Sequence, residues 1–268
     1  MTSPGAQGWY GFSGCVDPGP GALCGGSGDP SGAPPPAAPP SSGMVAWFRA
    51  SDLTVGDPFV VLPSAVGGAH LTAIGDGTLP VTVDYFGFYT GLTFYGDGSD
   101  YLTTTGPMFS GANPRTVIAV WRCDTTAYAT VCGQGSNVGA DKTMFMLFTG
   151  GLGDPYLSCY NHDISAGLAA NPNLQFAIAS YDGGNVAGSL ALRSSSVPGA
   201  LTTILPTNTP DYLASYASEF VVGNHPEFNF ALAGIVCEII IYNRVLTSGE
   251  ITDVQSYFQT KFGIVQAT

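Results

Sequence analysis

The stretch that decides the fold is residues 233–263, which read AGIVCEIIIYNRVLTSGEITDVQSYFQTKFG. Its first part, Ala233–Tyr242, is apolar at nearly every position, a pattern typical of a β-strand that is covered on both faces. Strict alternation of side chains would place Cys237 and Ile239 on one face and Glu238 on the other. We therefore expect a central strand, or a strand that lies beneath another element.

An amphipathic helix is predicted directly after this strand. Thr247 and Glu250 have the spacing of a capping box, in which Thr247 is the N-cap and Glu250 reaches back to it. Apolar residues then recur on one helical face, namely Ile251, Val254, Phe258 and Phe262. Gly263 is placed to end the helix, whose apolar face should pack against the strands.

Short apolar runs alternate with turn residues over the preceding part of the chain. Further strands are predicted at 44–49, 81–85, 92–95, 101–105, 116–122, 129–133, 143–149, 156–160, 175–181, 188–193, 201–205 and 219–222. Many short strands with one helix predict an all-β fold, a jelly-roll sandwich of two antiparallel sheets with a C-terminal helix.

Residues 1–43 have a different composition, with 11 Gly and 9 Pro. They predict an extended N-terminal arm, followed by the β-sandwich at 44–268. Trp9, Tyr10 and Phe12 form an aromatic group in this arm. We expect these rings to anchor the arm in a groove on a partner.

Charge and hydropathy exclude several kinds of partner. The chain has 7 Lys and Arg against 19 Asp and Glu, a net charge of −12. This balance disfavours nucleic acids and anionic membranes. No apolar run approaches the roughly 18 residues of a membrane-spanning helix, and residues 1–20 lack the pattern of a signal peptide. A charged fraction of only 10% is typical of extracellular and virion proteins.

The six cysteines include two pairs, Cys15 with Cys24 and Cys123 with Cys132. Neither pair has the C-x-x-C spacing of a zinc site, so no structural metal is predicted. Each pair is compatible with a disulfide or with free thiols. The remaining two cysteines lie in apolar strands and are expected to be buried thiols.

Several segments together resemble a known superfamily. They are 44–50 (MVAWFRA), 92–102 (LTFYGDGSDYL), 181–184 (YDGG) and 238–246 (EIIIYNRVL) with the capped helix after it. They resemble concanavalin A-like lectin/glucanase domains of the laminin-G-like type, as found in phage, virus and bacterial surface proteins. The resemblance implies a jelly roll but no single function, since the fold carries lectins, glycosidases, adhesion domains and tail-fibre modules. Tyr95 replaces the Asp usual in the second motif, so the calcium or ligand role of that Asp is not carried over.

Glycosidases of this superfamily use carboxylates spaced E-x-D-x-x-E or E-x-D-x-E on one strand. The four glutamates of the chain are Glu219, Glu227, Glu238 and Glu250. Only Glu238 lies in a strong strand, and Ile240 and Tyr242 stand where its partners would be. We therefore expect a protein that is not an enzyme, in which Glu238 makes a structural hydrogen bond near the helix.

Three predicted loops combine aromatic rings with carboxylate, amide or imidazole groups, the chemistry of a sugar site. The first contains Tyr95, Asp97, Asp100 and Tyr101, the second Tyr160, Asn161, His162 and Asp163, and the third Asn224, His225 and Glu227. The alternative is that each is an ordinary turn, because Asp and Asn often bond to their own loops. No cofactor is expected: the loop oxygens are of the kind that bind calcium, but none of the loops has a calcium-binding consensus.

These observations predict a non-catalytic virion or surface structural protein of the capsid-decoration or tail-fibre type. Its arm would bind capsid or tail proteins within an oligomeric assembly, at the virion surface or outside the cell. Its outward sandwich would contact host glycans during attachment. A free carbohydrate-binding lectin is the first alternative, and an atypical glycoside hydrolase is the second.

Overall fold

Two antiparallel sheets pack face to face in the computed structural model of this protein. The structure describes residues 37–56, 60–75, 81–85, 89–125, 127–136, 144–150, 154–159, 163–165, 173–184, 189–195 and 218–264. These residues all belong to one compact unit, Pro36–Thr268. Most of the predicted arm, with Trp9, Tyr10 and Phe12, lies outside the described residues, as does the predicted strand at 201–205.

The described strands are numbered in chain order. They are β1 Met44–Arg49, β2 Val61–Pro63, β3 His70–Ile74, β4 Val81–Tyr85, β5 Tyr89–Tyr95, β6 Tyr101–Thr103, β7 Arg115–Cys123, β8 Ala129–Gly135, β9 Met144–Gly150, β10 Asp154–Ser158, β11 Ile164–Ser165, β12 Gln175–Tyr181, β13 Leu190–Ser194, β14 Phe220–Val222 and β15 Ala233–Tyr242. A short 3-10 helix, Ala50–Asp52, follows β1, and the helix α1, Ser248–Phe262, follows β15.

The strands form two sheets that we call sheet A and sheet B. Sheet A has the order β13-β12-β7-β15-β5-β4, and sheet B has the order β11-β10-β9-β8-β14-β6-β3-β2. In sheet A, β15 pairs with β7 on one side, and with β5 and then β1 on the other. The prediction of an all-β, two-sheet antiparallel sandwich with one C-terminal helix is confirmed.

Most predicted strands are present, several with the same bounds, but β2, β3 and β11 were missed. The strands β2 and β11 are the two edges of sheet B and are short. On either side of β2, Val60 accepts from the Ala73 N–H and the Ser64 N–H donates to Ala69, so by alternation Pro63 faces the open side of the edge. Proline is tolerated there because no ladder N–H is needed. A proline in a three-residue strand hides the strand from pattern analysis.

The central strand β15 departs from strict alternation. Its register against β7 shifts between Val236 and Glu238, which makes Cys237 the extra residue of a β-bulge. Cys237 therefore faces the helix with Ile240, whereas Ile239 faces sheet B. The expectation that Cys237 and Ile239 share one face was wrong, because the bulge changes the phase of the strand.

The bulge also places Glu238 beneath α1. Glu238 is only 1% exposed, and its Oε1 accepts hydrogen bonds from Trp47 Nε1 at 2.5 Å and from the Tyr257 hydroxyl at 3.0 Å. Lys261 Nζ donates to Oε2 at 2.5 Å and to the Tyr257 hydroxyl at 2.8 Å. The expected structural hydrogen bonding of Glu238 near the helix is confirmed. We call these four residues the Glu238 network.

The capping box at the start of α1 is confirmed. The Thr247 side chain accepts from the Glu250 N–H, and Glu250 accepts from the Thr247 N–H. Arg244 adds two hydrogen bonds to the Glu250 carboxylate, at 2.7 and 2.5 Å. Together with the capping bonds, they lower the pKa of Glu250 to about 2. Gly263 ends the helix in the left-handed conformation, with φ of 62°. No helix in the described ranges is long and apolar enough to cross a membrane.

The cysteines of the sandwich are buried thiols. Cys123 and Cys132, whose pairing the sequence left open, are both free. Cys159 and Cys237 are also free and buried, as expected. Burial raises the pKa of each of these thiols, which keeps them protonated and unreactive. Cys15 and Cys24 lie outside the described residues.

We predict that Lys261→Met lowers the free energy of unfolding by about 3 kcal/mol, because it leaves the Glu238 carboxylate buried without its cation. Thr260→Met, at the exposed preceding position of the same helix, is the matched control and should change stability little. Guanidinium unfolding followed by tryptophan fluorescence measures both variants. Equal losses of unfolding free energy in the two variants would show that the ion pair contributes nothing to stability.

We predict that Glu250→Gln destabilises the protein above pH 5 but has little effect near pH 2. The folded-state pKa of Glu250 is lowered, so its contribution is present above the unfolded-state pKa and is lost as pH falls through about 2. Urea unfolding of both proteins from pH 7 to pH 2 measures this. A difference that is independent of pH would contradict the assignment.

Candidate functional site

A groove of about 390 Å³ lies on the outer face of sheet B, the face turned away from sheet A. Four threonines line it, one on β3, one on β6 and two directly after β6, together with Ile74, Tyr101, Glu219, Val221 and Pro226. Its volume falls in the range of small-molecule sites, about 300–1,000 Å³. The groove thus combines hydroxyl groups and a carboxylate with one aromatic ring and aliphatic walls.

Five aromatic rings lie on the same face of sheet B, and we call them the aromatic row: Tyr128, Phe148, Tyr156, Phe228 and Phe230. The Tyr128 and Tyr156 rings are 5.7 Å apart, and Phe148 lies 6.4 Å from Phe228 and 5.9 Å from Phe230. Phe228 and Phe230 stack at 6.0 Å with an angle of 11°. Tyr128 is 56% exposed and Phe230 is 44% exposed. The row therefore presents aromatic surface to solvent.

The groove and the aromatic row are parts of one surface. Val221 lines the groove and packs in the same apolar cluster as Met146 and Phe148. Tyr101, also of the groove, and Phe228, of the row, pack against that cluster. A ligand in the groove would therefore have a continuous apolar path toward the row.

The loop between β14 and β15 carries Phe228 and Phe230, and buried polar contacts fix it. Asn224 Nδ2 donates to the Gly98 carbonyl at 2.7 Å. His225 Nε2 lies 2.8 Å from the Gly135 carbonyl, and its Nδ1 accepts from a backbone N–H at 3.2 Å. This pattern requires a neutral imidazole with its proton on Nε2, and burial lowers the pKa of His225. Asn224 and His225 thus hold the loop in place.

The residues of the first predicted loop separate in the structure. Tyr101 lines the groove, whereas Tyr95 is exposed at the end of β5 in sheet A. Asp97 accepts from the Ser99 N–H and hydroxyl, both at 3.1 Å, which is the geometry of an ordinary turn. Asp100 is buried. Of these, only Tyr101 lies at the candidate site.

The second predicted loop is described in part, since Tyr160, Asn161 and His162 lie outside the described residues. Asp163 accepts from the Tyr156 hydroxyl at 2.6 Å and from the Ser158 hydroxyl at 2.7 Å. Burial and this bond raise the pKa of Tyr156. Asp163 therefore positions the Tyr156 ring of the aromatic row.

In the third loop, Glu227 is exposed, and both its carboxylate oxygens accept from the Ser136 hydroxyl, at 3.0 and 2.8 Å. Within the described ranges, no three His, Cys, Asp or Glu side chains are grouped so that they could hold a metal ion. The suitability of the loops for calcium stays a prediction.

Sequence reasoning missed the aromatic row and most of the groove. One available signal was Met144–Gly150, which is apolar at nearly every position and is buried throughout. Such a strand needs cover on its outer face as well as its inner one. The rings of Phe228 and Phe230 supply part of that cover. Two phenylalanines, two residues apart in a loop that is otherwise largely polar, were a second indication of an aromatic surface.

No protein-family model matches the chain, and no curated protein matches it. Among solved structures, it is similar to domain 4 of a GH43 extracellular arabinanase from Geobacillus stearothermophilus, in complex with arabinotriose. The identity is 13%, the match covers 79% of this chain and 97% of that one, and the TM-score is 0.53.

Two further similarities concern larger proteins. Trypanosoma rangeli sialidase is 13% identical, with 90% of this chain and 36% of that one covered and a TM-score of 0.56. The binding domain of botulinum neurotoxin serotype D/C is 10% identical, with 82% of this chain and 53% of that one covered and a TM-score of 0.56. The chain thus spans about a third of the sialidase and half of the toxin domain.

The fold shared with these structures is an all-β sandwich. At these identities the similarities show the fold alone, and it is compatible with the concanavalin A-like resemblance read from the sequence. The finer assignment to the laminin-G-like type is not shown, since no family model matches.

The expectation that this protein is not an enzyme is contradicted by these neighbours. One domain of an arabinanase and about a third of a sialidase share its fold, and both of those proteins are enzymes. The sequence argument tested for two carboxylate spacings on a single strand, and a sandwich can bring acids together from separate strands and loops. The absence of that spacing therefore does not exclude catalysis.

We predict that protein stability falls below about pH 6.5 because of His225. Its folded-state pKa lies below the unfolded value, so its contribution is complete above about 6.5 and is lost as pH falls toward the folded-state pKa. Urea unfolding at pH 8 and pH 5 should show a smaller drop in His225→Gln than in the wild type. His70→Gln, on β3, is the matched control. If the free energy of unfolding fell equally from pH 8 to pH 5 in His225→Gln and in the wild type, His225 would not be the cause of the pH dependence.

Proposed function

We propose that this protein binds carbohydrate in the groove on the outer face of sheet B. The observation that carries the proposal is the groove itself, where Tyr101 and the exposed Ile74 offer apolar surface beside hydroxyl and carboxylate groups. Sugars have apolar C–H faces and hydroxyl edges, so they match a site with an aromatic surface and a few converging polar groups.

The polar groups of the groove suit sugar hydroxyls. Threonine hydroxyls both donate and accept, and an ionised carboxylate accepts only. Thr72 and Thr103 stand opposite each other on β3 and β6, and Glu219 is exposed just before β14. Because Thr72 and Thr103 lie on paired strands, their spacing is fixed before a ligand arrives, which lowers the entropic cost of binding.

The structural neighbours support the same class of ligand by analogy. The arabinanase domain was solved in complex with arabinotriose, and the larger proteins are a sialidase and a toxin binding domain. Fold likeness does not carry a ligand from one protein to another, so the groove must be tested directly.

The role in an assembly stays a prediction. The expected anchoring to capsid or tail proteins, the virion-surface or extracellular location and the oligomeric state rest on the composition of residues 1–43 and on the low charge of the chain. The groove neither requires nor opposes that role, since it belongs to the sandwich.

We predict that the protein binds members of a glycan array and that Tyr101→Ala weakens binding to the best of them about tenfold or more. Tyr95→Ala removes an equally large exposed ring outside the groove lining and is the matched control. Titration calorimetry measures affinity, and chromatography of the incubated glycan detects any cleavage.

Two results would overturn the proposal. One is a wild-type protein that binds no glycan on the array. The other is binding that Tyr101→Ala and Tyr95→Ala weaken equally, which would place the site elsewhere. Cleavage of the glycan would add catalysis to binding at the same face.

A further inference from the structure

We propose that the aromatic row is a second subsite, which extends the groove and makes the protein select long, neutral oligosaccharides. The proposal rests on the proposed function of the groove and goes beyond it by assigning the length and charge of the ligand. The groove alone would bind a short glycan, whereas the groove and the aromatic row together bind a longer oligosaccharide.

The first argument is continuity. Pro226, in the wall of the groove, is two residues from Phe228 of the aromatic row, and Val221 of the groove packs in one cluster with Phe148. A sugar chain that leaves the groove past Pro226 therefore meets the aromatic rings next. The two surfaces lie on the same side of sheet B.

The second argument is that the row is exposed yet held in place. Phe230 stacks on Phe228, which packs against Phe148 on a central strand of sheet B. Tyr128 packs edge-on against Tyr156, whose hydroxyl donates to Asp163. Rings fixed in this way bind the C–H faces of sugars without losing side-chain freedom on binding.

The third argument is charge. Within the described residues, no Lys or Arg lines the groove or belongs to the aromatic row. Glu219 lines the groove, and exposed Glu227 and Asp163 lie next to rings of the row. From the described residues of this surface, sialylated or sulfated glycans would meet carboxylates and no lining Lys or Arg, on a protein with a net charge of −12. Neutral sugars avoid this repulsion.

A length series tests the second subsite. Titration calorimetry with disaccharides and hexasaccharides of the arabino-, xylo- and cello-oligosaccharide series should show hexasaccharides of the recognised series binding at least about tenfold more tightly. Phe230→Ala should remove most of this gain and leave disaccharide affinity unchanged. Tyr128→Ala is an independent variant with the same expected pattern, in case the first disturbs its loop.

Two controls separate this proposal from the proposed function. Tyr101→Ala should weaken disaccharides and hexasaccharides alike, because it acts in the groove, and Tyr95→Ala should weaken neither. If the wild type binds no glycan, both proposals fall. If it binds, but disaccharides and hexasaccharides bind equally or both row variants keep the gain, the second subsite alone is overturned.

A matched pair of glycans tests the charge argument. Lactose and sialyllactose differ by one anionic sugar, and the neutral member should bind more tightly, with a preference that shrinks at high salt as charges are screened. Tighter binding of sialyllactose would overturn the assignment of neutral ligands. Binding of a second copy of the protein through the row, seen as dimers that Phe230→Ala dissolves, would overturn the glycan assignment of the row.

Discussion

The buried carboxylate of Glu238 is the contact on which the arrangement of the sandwich depends. It joins three elements, because Trp47 belongs to β1, Glu238 to β15, and Tyr257 and Lys261 to α1. A carboxylate left buried without partners costs several kcal/mol. A shift of the helix that removed its hydrogen bonds to Glu238 would therefore destabilise the fold. The β-bulge at Cys237 is what turns Glu238 toward the helix. The network therefore fixes which sheet the helix covers.

This choice leaves the two outer faces of the sandwich unequal. The helix covers sheet A with apolar residues such as Val254 and Phe258. Sheet B has no helix among the described residues, and its outer face is covered in part by the loop that carries Phe228 and Phe230. A loop covers less area than a helix, so a groove and exposed rings remain on this face. The candidate site is thus a consequence of where the helix lies.

The polar residues of the predicted loops have structural contacts in the fold. Asn224, His225 and Asp163 were candidate ligand groups with an ordinary turn as the alternative, and in the structure they hold a loop and a ring in position. The surface offered to a ligand comes largely from strand residues and from rings in a loop that reads as polar. Short polar side chains serve loops well because they replace missing backbone partners, and this makes them ambiguous in sequence.

The sequence by itself determined the local elements. The strand Ala233–Tyr242 follows from its nearly continuous apolar run, and the capping box follows from a contact between Thr247 and Glu250, which are near neighbours in the chain, so both were predicted correctly. Only the tertiary structure decided the bulge at Cys237 and the meeting of Phe148 with Phe228, since both depend on which strands pair. Strand order is set by the packing of the whole sandwich, and no short stretch of sequence carries it.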